Sequence, residues 1–157
     1  MLYSKPLRIL LLILSWGSLL FLKPASAKRF SQAAILVSLL LTVESMIAIP
    51  YKLWTIKGGL KRRLWGDLSF IFGPFFAGTL WIFQLTFGKF WKYILVNIVV
   101  DFLMAYPFTF LFEKAGLYRL KRLSKHRLFS LSLVFAAVIY GYQIFLEKQF
   151  SRNSEKS

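Results

Sequence analysis

Glu44 and Asp101 are carboxylates set deep inside long apolar runs. An ionised acid in such surroundings costs about 2–3 kcal/mol or more unless it finds a partner, a proton or a water-filled cavity. Asn97 lies four residues before Asp101, one helical turn away on the same face, and Gln84 is the strongly polar side chain of the run before it. The chemistry open to this set is binding of a proton, a cation or the headgroup of a substrate. The plainer alternative is that each polar group holds helices together through hydrogen bonds worth roughly 0.6–2 kcal/mol. No catalytic residue is assigned, because the sequence has no His-Glu-x-x-His, no G-x-S-x-G and no phosphate-binding glycine loop. With no cysteine and one histidine, His126, a metal site within one chain is not credible, and no cofactor is expected.

The elements that must position these residues follow from composition. Of 157 residues, 57% are hydrophobic and 17% charged, whereas a water-soluble domain carries about 25% charged residues. The expectation is an all-α, polytopic integral membrane protein. At roughly 20 residues per span there is room for four or five helices and no separate soluble domain. Five apolar runs predict helices over about 3–22, 30–50, 68–87, 93–112 and 128–146, all in one domain (1–146), with a disordered polar tail over 147–157.

The first run, Leu7 to Leu22, is short for a membrane span, and Ala25, Ser26 and Ala27 after it form an A-x-A triplet. A cleaved secretory signal would leave four helices. Pro24 before the triplet and Lys28 and Arg29 after it favour a retained helix. Pro50 should stop the second run. Gly73, Pro74 and Gly78 predict a kink and a candidate hinge in the third, whose Gly73/Ala77 spacing also suits close helix packing. The tight connector 88–92 predicts an antiparallel hairpin between the third and fourth helices.

Residues 51–67 read as an interfacial connector, with Trp54, Trp65 and Trp91 as an aromatic belt. Leu117, Leu120 and Leu123, at three-residue spacing among basic residues, predict a short amphipathic surface helix within 113–127.

Lys and Arg number 21 against six acids, giving a net charge of +15. Nucleic acid is not the expected partner, because the charges sit in short connectors between apolar runs, where they meet anionic phospholipid headgroups. Lys61, Arg62 and Arg63 in one connector and Arg119, Lys121 and Arg122 in another are the candidate contacts for anionic lipid or a partner protein, and His126 should face headgroups. The amino terminus and the second and fourth connectors together hold thirteen Lys and Arg, the remaining segments eight. The positive-inside rule therefore predicts a cytoplasmic amino terminus, if the first helix is retained, and a carboxyl terminus outside.

In composition the chain resembles small basic multi-helix proteins of bacterial inner membranes, which implies a plasma-membrane location. The functional expectation is a transport-associated or accessory membrane protein whose intramembrane acids bind a proton, cation or headgroup. Its rival is a non-transporting structural or regulatory protein acting through its basic connectors, with a lipid-modifying enzyme the third alternative. Five helices are few for two repeated transporter halves, so a transport role implies a homo-oligomer or a larger membrane partner.

Overall fold

The computed structural model describes residues 4–55, 59–117 and 119–154; the side chains of residues 4, 5, 59, 60, 62, 150, 153 and 154 fall outside that description. Among the described residues the chain forms five helices: α1 (Ser4–Leu19), α2 (Pro24–Tyr51), α3 (59–86), α4 (90–114) and α5 (Lys125–Ser154). Four contain stretches long and apolar enough to cross a membrane, namely Pro24–Tyr51, Arg63–Thr86, Phe90–Lys114 and Lys125–Gln149. The α1 helix, at 16 residues, rises only about 24 Å, and its apolar part, Pro6–Leu19, is shorter still.

Every helix after α1 outruns its apolar core. Pro24 opens α2, where a missing N–H costs nothing, so Ala25–Ala27 lies in a helical turn. Pro50 does fall in the last turn of α2, and Lys52 ends it in the left-handed region (φ 51°). The α3 helix starts at Gly59 rather than Leu68, so half of the expected interfacial connector is helical and Lys61 to Arg63 lie in its opening turns. The α5 helix runs to Ser154, so the tail expected to be disordered from Glu147 onward is helical across its described part.

The amphipathic helix expected within 113–127 does not form. Instead α4 ends at Lys114, Gly116 adopts φ +71°, which an L side chain resists, and the chain turns into a strand, β2 (Arg119–Leu120). This strand pairs antiparallel with β1 (Trp54–Thr55), Trp54 opposite Leu120 and Thr55 opposite Arg119. Leu117 is fully buried, so its three-residue spacing from Leu120 reflects inward packing and not a surface stripe.

Where a kink is expected at Pro74, the helix holds a π-turn. Ile71–Phe75 in α3 and Met104–Phe108 in α4 are each a π-helical turn containing a proline, Pro74 or Pro107. A proline removes an N–H from the helical ladder, and the wider turn accommodates the ring. Thr109 Oγ1 donates to Met104 O at 2.8 Å, and Trp16 Nε1 of α1 donates to Phe72 O at 3.0 Å. Gly73 faces α1 so closely that a Cβ there would sit 3.1 Å from Leu12 Cδ2, whereas a Cβ on Gly78 would meet nothing within 4 Å.

The bundle has two ends of different character. At the basic end lie the start of α1, β1 and β2; Lys121, Arg122 and Leu123 all donate their backbone N–H to Leu53 O at 2.9–3.2 Å. Toward the opposite end α2, α3, α4 and α5 close around an aromatic core. Ring centroids there are 5.3 Å apart for Phe30 and Phe83, 5.1 Å for Phe83 and Tyr93 and 4.6 Å for Tyr93 and Tyr140.

Candidate functional site

Nearer the basic end, α3 and α4 part at their π-turns and the space between the helices is a cavity of about 260 Å³. Its polar lining comes from three carboxylates on three helices, Glu44 of α2, Asp67 of α3 and Asp101 of α4, together with Ser45 and Ser132. Aromatic and aliphatic side chains make most of the wall, including Trp54, Phe70, Phe75, Phe108 and Phe112. Both π-turns contribute, through Ile71, Pro74 and Phe75 on one side and Met104, Ala105 and Phe108 on the other. A smaller cavity of about 100 Å³, lined by Asn97 and Thr79, shares Pro74, Asp101, Met104 and Ser132 with it.

The three acids are held differently. Asp67 accepts hydrogen bonds from Ser45 Oγ at 2.5 Å and Trp54 Nε1 at 3.2 Å, and Arg63 Nε lies 3.9 Å away. Its charge is thus matched by protein groups. Glu44 and Asp101 make no hydrogen bond or ion pair among the described residues, and Asp101 Oδ2 is buried without a donor. Among the described residues no cationic side chain lines the cavity. Such a site leaves two carboxylates facing a largely apolar space, an arrangement that a positively charged guest would complete.

The sequence candidates therefore separate. Glu44 and Asp101 share one cavity, and Asn97 joins Asp101 in the smaller one while donating through Nδ2 to Tyr93 O at 2.8 Å. Gln84 is elsewhere, its Oε1 accepting the Lys23 N–H at 3.0 Å beyond the aromatic core. Of the hinge candidates, Pro74 borders both cavities, Gly78 only the smaller, and Gly73 packs on α1.

Lys61, Arg119, Lys121 and Arg122 are exposed, and the Arg62 side chain falls outside the described residues. Arg63 is not a surface contact: it is buried beside Asp67, with its guanidinium 5.7 Å from the Trp54 ring centre. Trp65 and Trp91 are exposed as a belt requires, but Trp54 is turned inward onto Asp67. The exposed His126 ring accepts or donates through Nδ1 to Tyr106 Oη at 2.7 Å.

Asp67 escaped the sequence reading because it follows a basic cluster and precedes the apolar run, where it looks like connector. The available signal was Arg63 four residues earlier, the spacing of a helical ion pair. Arg8 was missed likewise; buried, it donates from Nη2 to Leu117 O at 2.6 Å and ties α1 to the turn after α4. At the far end, Arg29 Nε and Nη2 grip Glu147 at 2.6 and 2.9 Å, and the buried Gln143 donates to the same carboxylate at 3.0 Å. The Gln143/Glu147 spacing of four was legible; its partner on α2 was not. Compared with known proteins, the chain matches no family model, no curated protein and no solved structure, so the function must be argued from this geometry.

Proposed function

We propose that the chain is a multi-pass protein of a bacterial plasma membrane whose carboxylate-lined cavity binds a cation carrying an apolar body, in a transport-associated or accessory role. The observation that carries this reading is the meeting of Glu44 and Asp101, neither with a hydrogen-bond or ion-pair partner among the described residues, on one cavity with Asp67. A carboxylate pair supplies charge, and the rings of Trp54, Phe70, Phe75, Phe108 and Phe112 supply both an apolar wall and faces that attract cations. A proton would neutralise the same acids when no cation is bound.

The membrane setting draws support from the outside of the bundle, where Ile13, Leu39, Leu95, Val99, Val134 and Val138 are all exposed. Water tolerates scattered apolar side chains but not helix after helix of them. The α1 helix, packed on α3 through Leu12 and Trp16, belongs to the bundle on this reading and makes a fifth, short span. With Arg8 and both basic connectors at one end, the positive-inside rule puts that end in the cytoplasm and the carboxyl terminus outside.

The test is titration of purified protein in lipid nanodiscs with benzyltrimethylammonium, followed by calorimetry and by intrinsic tryptophan fluorescence, with Trp54→Phe identifying the share of Trp54. Saturable one-to-one binding is expected, weakened tenfold or more by Asp101→Asn and by Glu44→Gln. Absence of saturable binding in the unaltered protein sinks the reading.

One observation favours a second reading, an accessory protein that holds anionic lipid or a partner at the basic end. The pairing of β1 with β2 gathers exposed Arg119, Lys121 and Arg122 into one patch. On that reading Asp101→Asn is silent, and neutralising those three residues abolishes binding to vesicles rich in anionic phospholipid.

A further inference from the structure

Along the helix axis the cavity is bounded by walls of very different kind. Toward the far end, past the smaller cavity that they line, stand Phe83 and Tyr93 of the aromatic core, both nearly inaccessible and each in ring contact with Tyr140. Toward the basic end the wall includes Trp54 and Leu120, which lie opposite one another across the two-residue ladder of β1 and β2. A ladder this short is not stable by itself in water. Its ties are the N–H groups of residues 121–123 on Leu53 O, the Leu120 N–H on Glu113 Oε1 at 2.9 Å, the Arg8 hydrogen bond to Leu117 O just before β2, the Arg63 guanidinium against the Trp54 ring, and the Trp54 indole N–H on Asp67. The last of these couples the ladder to the acid-lined interior.

We propose that the paired connectors β1 and β2 are a movable cover over the basic-end mouth of the cavity, latched by the Trp54 to Asp67 hydrogen bond. A charged guest cannot pass through the packed aromatic core without parting four long helices, whereas parting β1 from β2 breaks a handful of hydrogen bonds, those of Leu120 and Trp54 only partly buried. Opening the cover swings Trp54 away and removes one of the three groups on Asp67, leaving Ser45 and Arg63 in place and that face of the carboxylate open to the entering guest. The cover rests on the reading of the cavity as a ligand site, but its movement can be measured without any ligand.

The chain has no cysteine, which permits a clean test. Thr55 and Arg119 are direct partners across the ladder, and Cα atoms so paired are about 4.5–5.5 Å apart, within reach of a disulfide. The full chain carrying Thr55→Cys, Arg119→Cys and Ser132→Cys, the last in the cavity wall, is placed in nanodiscs so that both ends meet buffer. A cationic methanethiosulfonate is added, and its modification of position 132 is followed by peptide mass spectrometry. Oxidation of the 55–119 pair should slow modification at least tenfold, and prior reduction should restore it. In a separate protein with Ser132→Cys as its single cysteine, Trp54→Phe should speed modification severalfold by removing the latch N–H while keeping an aromatic ring. Equal rates in the oxidised and reduced proteins overturn the cover; should the bridged chain not fold, an unchanged rate with Trp54→Phe does so instead. Failure of benzyltrimethylammonium to bind, with the labelling rates as expected, removes the ligand reading and leaves the cover standing.

Discussion

The half of the bundle around Phe83 and the half around Asp101 are built from the same four long helices and behave as opposites. In the first, Phe30, Phe83, Tyr93 and Tyr140 fill the space between helices, and the Tyr93 hydroxyl donates to Ala136 O at 3.0 Å. In the second, the helices part at two proline-bearing π-turns and leave a cavity edged by acids, two of them without a partner among the described residues. Close packing and unpartnered acids are kept apart along the helix axis. The packed half provides cohesion, and the open half holds two acids that make no hydrogen bond or ion pair among the described residues.

Three substitutions probe that contrast, from the largest effect down. Phe83→Ala should cost about 3–5 kcal/mol in an unfolding titration in detergent, because a fully buried ring leaves a void its neighbours cannot fill. Phe70→Ala, at the edge of an existing cavity, should cost about 1 kcal/mol; equal losses would erase the distinction between the halves. Next, Glu147→Gln should cost roughly 0.5–1 kcal/mol, since the Arg29 pair it weakens is partly exposed and Gln143 can still donate to the new amide oxygen. A loss several times larger would make the far-end pair, rather than the aromatic packing, the main clamp of that half.

The smallest effects are expected at two glycines of α3. Gly78→Ala should stabilise by about 0.5–1 kcal/mol through helix propensity alone, as nothing lies where the methyl would go. Gly73→Ala should gain less or lose slightly, because Leu12 must give way. If both changes stabilise alike in the same unfolding assay, the contact of α1 with the open half is looser than its geometry implies.

Legibility in the sequence varied with the range of the interaction. Glu44 and Asp101 stood out because each interrupts an apolar run, a property of a few neighbouring residues. Asp67 was hidden because helical character at Gly59 to Arg63 comes from packing that a local reading scores as basic connector. The segment after α4 misled for the same reason: leucines at three-residue spacing fit a surface helix as well as they fit a chain turning inward, and Gly116 with the partner strand at Trp54 decided between them. Pro74 was marked as a kink and the helix there widens to a π-turn without ending, yet that Pro107 forms a matching π-turn across the cavity could not be read from either proline singly.

Composition and the period of apolar residues were enough to dictate a helical chain with several long apolar helices, because burying or solvating a backbone in apolar surroundings leaves the helix few competitors. Which acids meet, which tryptophan turns inward and which connectors pair depend on contacts between residues far apart in the chain. Those contacts are chosen by how whole helix faces fit together, and no single stretch of sequence contains both sides of the fit.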